Sequence, residues 1–169
     1  MSYAKLYIQK KNAATAYETV ETFGVWAMEV PFRIAGEVKD LSVNDWKDES
    51  GDEEYLPAEL PMKAYDMTIK FGYKGAKGTG RQHLAAFFNY LRGKSWILNG
   101  VTHNGDGTEL MMYYELSGIG RQGMRLKSIS DNAEYVVDDD MEAVMPEVTF
   151  KVNDPDTDVT LSDGKLMAV

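Results

Sequence analysis

The amino-acid sequence predicts a mainly β domain, an antiparallel β-sandwich or small barrel, with one flanking α-helix at about 79–92 and long loops or a hairpin arm. Three observations carry that prediction. Short runs of alternating apolar and polar residues recur along the chain, separated by joints rich in Gly, Asp and Asn. Only one stretch shows a helical apolar period. A parallel sheet would need a crossover helix between successive strands, and the sequence does not supply them.

In chain order, residues 4–9 alternate around Leu6 and Ile8 and read as a first strand, followed by a polar turn at 10–14. Residues 17–30 are β-rich, with Val20, Phe23, Val25, Trp26 and Val30, and Gly24 divides them by a bulge or into two strands. Pro31 limits continuation, and 32–38 offers another short strand. Residues 64–73 give the cleanest alternation: Tyr65, Met67, Ile69, Phe71 and Tyr73 share one face, Asp66, Thr68 and Lys70 the other.

The helix is GTGRQHLAAFFNYLRG, residues 78–93. Leu84, Phe87, Phe88 and Leu91 form one stripe at i, i+3, i+4 and i+7. Thr79 with Gln82 reads as a capping box, and Gly93 as the stop. A short strand follows at 95–98, then turn chemistry at 99–108, where Asn-Gly and Asp-Gly pairs supply positive φ. Residues 109–116 form a strand with apolar groups on both faces, and 123–130 return with Met124, Leu126 and Ile129. Residues 138–142 read as an acidic loop. Residues 146–153 alternate Val148, Phe150 and Val152 against Glu147, Thr149 and Lys151. After a turn at 154–158, Val159 and Leu161 offer a last short strand, and Asp163-Gly164 precedes a tail.

Length and composition frame these elements as one domain, 1–169. A chain of this size buries roughly 70% of its unfolded surface, so a core forms without staples. There are no cysteines, which excludes disulfides, thiolate metal sites and a Cys nucleophile. Net charge is −9, with a pI near 4.7, the wrong sign for gripping a phosphate backbone. MSYAKLYIQKK at the start has no apolar h-region, so no signal peptide is expected. No run approaches the roughly 20 apolar residues of a membrane span.

Residues 41–61 stand apart. They hold seven carboxylates against one base, Lys47, with Trp46, Tyr55 and Leu56 set among them. Such a run is ordinarily a solvated loop. Its aromatic residues point instead to docking, and a long hairpin arm is the other reading. The surplus of aromatic and Met side chains, ten Tyr, ten Met and three Trp, either fills the core or lines subunit contacts.

Candidate chemistry is thin. Asp154, Asp156 and Asp158 have the alternate spacing of a calcium loop, but Val159 and Lys165 stand where that loop needs Gly and Glu. His83 and His103 have no nucleophile signature beside them. Residues 72–80, GYKGAKGTG, match neither phosphate-binding glycine pattern. No catalytic, cofactor or metal residues are therefore assigned, and a non-enzyme is expected.

One resemblance adds to this reading. DWKDESGDEEYLP (45–57), MKAYDMTIKFGYKG (62–75), the amphipathic helix, IGRQGMRLKS (119–128) and PEVTFKVNDP (146–155) occur in an order similar to that of small tail proteins of phages and prophages of gut Bacteroidetes. The chain resembles in particular the N-terminal domain of distal tail (Dit-like) proteins, from about Leu6 to Leu161. Asp45-Trp46, Gly51, the strand at 67–71, Gly120-Arg121 and Arg125 carry it. The resemblance implies a β-sandwich subunit of a hexameric ring that joins the tail tube to the distal tip or baseplate. It implies a virion protein assembled in the host cytoplasm, with itself and other tail proteins as partners and DNA passing without specific binding. It brings no cofactor and no catalytic residues. A tail tube or terminator subunit shares the architecture. Over 169 residues, the second, carbohydrate-binding-like domain of longer distal tail proteins is not expected. Trp46, Tyr55, Leu56, Arg121 and Arg125 are the expected interface residues. The competing class is a β-sandwich binding module for carbohydrate or protein, using Trp46 or residues 99–108.

Overall fold

The computed structural model describes residues 3–130 and 134–169. Strand makes up 44% and helix 11%, in one curled antiparallel sheet, a half-barrel, with two helices. The mainly β expectation holds; the helix count does not.

The sheet is organised on β6 (Tyr65–Ala76), whose predicted alternation is observed: Tyr65, Met67, Ile69, Phe71 and Tyr73 are buried, while Asp66, Thr68 and Lys74 are exposed. Along one edge lie β12 (Met141–Met145) and β13 (Glu147–Val152), end to end. Met141 stands opposite Ala76, and Val152 opposite Tyr65. Pro146, which has no N–H to donate, makes the joint between them; its carbonyl accepts from the Phe71 N–H at 2.9 Å. The opposite edge of β6 pairs with β3 (Val25–Glu29). Beyond β12 and β13 come β11 (Glu134–Val137) and β10 (Ile119–Ile129) respectively. Then follow β9 (Leu110–Tyr114), β1 (Leu6–Lys10) and β2 (Tyr17–Glu18).

Two edge strands of this sheet, β2 and β3, are joined by a five-residue helix, α1 (Thr19–Phe23). The sequence reading placed β structure here. The helix forms because the Glu18 carboxylate accepts from the Val20 and Glu21 N–H groups at 3.1 and 2.9 Å, satisfying donors that a strand would leave for a neighbour. Gly24, at φ 72°, ends it as a left-handed cap and is no bulge.

The predicted helix is α2 (Gly80–Arg92), closed at Gly93 as expected. Leu84, Phe87 and Leu91 are buried; Phe88 is half-buried, and Tyr90 takes a place in the core instead. The expected Thr79–Gln82 capping box is absent. The Thr79 hydroxyl is committed to the Ala76 carbonyl (2.6 Å) and the Tyr73 hydroxyl (2.7 Å), and Gln82 is exposed. The cap comes from across the fold: buried Glu142, on β12, accepts from the Gly80 N–H at 2.6 Å. A Cβ at Gly80 would sit 2.7 Å from that oxygen, so Gly is required for the contact.

The helix lies in the concave side of the sheet. Phe87 meets Phe71 and Phe23 with ring centroids 4.9 and 5.2 Å apart, and Trp96 lies 4.9 Å from Phe23. Aromatic residues thus fill the space between α1, α2 and β6 with tilted, offset pairs.

Two hairpins complete the chain. Asn99 and Gly100, at φ 52° and 75°, turn β7 (Trp96–Leu98) into β8 (Val101–His103), so part of the expected 99–108 turn is strand. Asp163 and Gly164, at φ 49° and 74°, turn β14 (Val159–Ser162) into β15 (Lys165–Ala168). The expected tail is therefore a strand. The β14–β15 hairpin packs on the convex side of β1, β9 and the start of β10. Gly120 permits this, since a Cβ there would meet the Val159 carbonyl oxygen at 2.5 Å. The Leu166 N–H donates to Gln9 Oε1 at 2.8 Å.

Candidate interaction surface

Residues 37–63 form the hairpin arm that the sequence offered as one of its readings. The Lys63 N–H donates to the Glu37 carbonyl (2.7 Å), Lys39 N–H to Pro61 (2.8 Å) and Tyr55 N–H to Ser42 (2.9 Å). Further out, β4 (Val43–Asn44) pairs with β5 (Glu53–Glu54). The ladder comes in short pieces, Val38 opposite Met62 and Val43–Asn44 opposite Glu53–Glu54, with acidic side chains along the ribbon. Residues 32–38, expected as a strand, contribute only the single bridge of Val38 to Met62.

The arm's apolar side chains do not pack on the chain's own body. Trp46 is 52% exposed, Tyr55 68% and Leu56 70%. The Trp46 indole N–H is held by Glu53 Oε2 at 2.7 Å, which braces the tip across its two limbs. Val38, Leu41, Val43, Leu56 and Leu60 line an open groove of about 580 Å³ along the ribbon. A contiguous apolar surface rimmed by carboxylates is the mark of a contact face, because single exposed apolar residues are common and grouped ones are not.

The base of the arm is fixed. Arg121 is 4% exposed, and its guanidinium donates to the Arg33 carbonyl (3.0 Å), the Gly120 carbonyl (2.9 Å) and Asp158 (2.6 Å). The Arg33 N–H in turn donates to the Tyr65 hydroxyl at 3.2 Å, and its guanidinium lies 5.0 Å from the centre of that ring. Arg121 was expected at an interface; it is instead an internal clamp between the arm's root and the β14–β15 hairpin. Arg125 is exposed on the convex side of β10.

That convex side divides in two. The β14–β15 hairpin covers one part. The remainder, on β6, β13 and the far half of β10, has no layer over it among the described residues. It carries Lys70, Lys74, Arg125, Lys127 and Lys151 against Asp66 and Glu147. Lys127 pairs with Asp66, and the Thr68 and Thr149 hydroxyls bond each other at 2.9 Å.

The remaining candidates have structural roles. Asp154 is partly buried, which alone would raise its pKa, but bonds from Gln122 (2.9 Å), Thr157 (3.1 Å) and Asp156 (3.2 Å) outweigh this and hold it below the usual carboxylate range. With Asp158 on Arg121, the spaced aspartates serve a turn and a clamp. Among the described residues no group of three or more His, Asp or Glu side chains converges on a point that would hold a metal. His83 Nδ1 donates to the Phe23 carbonyl at 2.7 Å and its ring stacks on Tyr73, tying α1 to α2. His103 lies in β8 and not in a turn, stacked on Trp96 with centroids 3.9 Å apart.

Lys10 was read as part of a turn. It is the last inward residue of β1, 1% exposed. Its ammonium donates to the Tyr90 and Gly107 carbonyls at 2.5 Å each and lies 4.5 Å from the Tyr90 ring centre. Burial pulls its pKa down to about 8, against a smaller upward pull from Asp106. The signal was present in the sequence as the third inward position of the Leu6–Ile8 alternation.

Neither a family model nor a curated protein sequence matches this chain. No helix among the described residues is long and apolar enough to cross a membrane.

Proposed function

We propose that this chain is a non-enzymatic structural subunit of a phage or prophage tail, self-associating into a hexameric ring that joins the tail tube to the distal tip or baseplate. The observation that supports the reading is the rigidly rooted arm, which holds Trp46, Tyr55 and Leu56 off the body where only another molecule can cover them. Covering a side chain of that kind is worth roughly 1.5–3 kcal/mol, a gain open only to a partner that buries it. The tail assignment rests on the order of sequence segments described above. The chain's negative charge suits a conduit along which DNA slides without sticking.

The test is light scattering on the purified protein over a wide concentration range, with negative-stain imaging, alone and after mixing with the products of neighbouring tail genes. Ring-shaped particles of uniform size are the expected result. Monomers under every condition, with no capture by tail proteins, would refute the proposal.

A further inference from the structure

The acidic arm and the uncovered convex face of β6, β13 and β10 belong to the same molecule and are opposite in charge. We infer that the arm of one copy lies along that face of a second copy. This partner assignment rests on the self-association proposed above and specifies the contact that produces it.

Three properties match. The first is charge. Residues 41–61 hold seven carboxylates against Lys47, whereas the face holds five cations against Asp66 and Glu147, in a chain whose net charge is −9. A basic face on an acidic protein steers toward acidic surfaces, and the arm is the most acidic ribbon the chain owns. The second is length. From Val38 to Trp46 an extended limb covers roughly 25 Å, and Asp66 to Lys74 on β6 covers the same distance. The third is the cost of burial. Thr68 and Thr149 already share a hydrogen bond in the middle of the face, so covering them leaves one O–H donor, not two, for the arm to meet. The arm's groove residues then gain cover from the aliphatic stems of Lys and Arg.

Arg33, clamped by Arg121 and Tyr65, fixes where the ribbon leaves the body. Arm and face are different surfaces, so a copy that offers its arm to one neighbour and receives an arm from another makes a heterologous contact, which generates a closed ring or an open filament. Two copies that exchange arms reciprocally would instead close as a two-fold dimer, which light scattering distinguishes from a ring.

The chain has no cysteine, so Tyr55→Cys gives a unique attachment point for a photo-crosslinker. Mixing isotopically heavy and light protein separates adducts between copies from those within one. The expected adduct joins position 55 of one copy to peptides within 65–76, 124–129 or 147–152 of another. Adducts elsewhere on the partner, adducts only within a copy, or none at all would overturn the inference. Charge reversal gives an independent reading. Asp48→Lys with Glu49→Lys on the arm, or Arg125→Glu with Lys151→Glu on the face, should each raise the concentration for half-association by about tenfold or more. Mixing the two variants should restore association. Circular dichroism checks that each variant is folded. If the wild type self-associates while both variants associate equally well, the arm–face contact fails and the ring reading survives. If the wild type never self-associates and captures no tail protein, both fail.

Discussion

Lys10 makes a prediction about stability against pH. Its side chain is 1% exposed, with its ammonium held between two carbonyls. Its folded pKa is about 8 against an ordinary 10.5. Below pH 8 the lysine is charged in both folded and unfolded chains, and the folded one bears the cost of burying that charge. Between about 8 and 10.5 the unfolded chain binds the proton and the folded chain does not, so stability rises with pH. Each pH unit in that window adds up to about 1.4 kcal/mol, and because the folded lysine is half protonated at pH 8, moving from pH 8 to 9.5 should add about 1.5 kcal/mol from this residue. The neutral amine still has two N–H groups, one for each carbonyl, so deprotonation removes the charge without breaking either contact. Above pH 10 the gain is opposed by Tyr90, whose burial raises its pKa, because its unfolded form ionises first. Urea unfolding followed by Trp fluorescence, at pH steps from 7 to 9.5, reads this directly. Lys10→Gln keeps a donor without a titrating amine, and Lys10→Met removes both. The wild-type curve should climb relative to either variant. Parallel curves for wild type and Lys10→Gln would refute the reasoning.

Other outcomes follow from the same contacts. Replacing Trp46, Tyr55 and Leu56 together with Ser should leave monomer stability within about 0.5 kcal/mol per site, since all three are exposed, yet abolish self-association; light scattering and thermal melts separate the two. Arg121→Met should cost about 1–2 kcal/mol by leaving the Arg33 and Gly120 carbonyls without their donor, and Arg121→Lys should rescue little, because one ammonium cannot reproduce the fork; urea titration checks both. Glu142→Ala should cost about 1–2 kcal/mol and loosen the first turn of α2, read as faster amide exchange near Gly80, while Thr79→Ala should show no loss of cap.

The β elements were legible wherever one side of a strand faces the core. The alternation over 64–73 returned as β6 with its faces assigned correctly, and 146–153 as β13, because burial on a single side writes a period of two into the sequence. What escaped were features whose cause lies far along the chain. Thr79 looks like a cap in isolation; it fails because Tyr73 and Ala76 engage its hydroxyl and Glu142 arrives from β12. The stretch 19–23 has no helical stripe, and the carboxylate of Glu18 makes it a helix. Strand β15 looked like a tail because Lys165, Met167 and Ala168 are exposed and only Leu166 is buried. At the candidate surface, the arm was legible from its charge and aromatic residues. Arg121 was misplaced because a run of Gly and Arg gives no sign of which arginine turns inward.

One consequence for biosynthesis follows from the register of β6. Its longest neighbour is supplied by residues 141–152, so Tyr65 waits for Val152. Until residues 141–152 have left the ribosome, the nascent strand has β3 on one flank and nothing on the other, with Met67, Ile69 and Phe71 unprotected. Chains halted before Met141 should accumulate as insoluble material in a truncation series, whereas full-length product stays in the supernatant. Premature termination is thus more hazardous to this protein than its modest size suggests, and its translation favours a chaperone-rich setting.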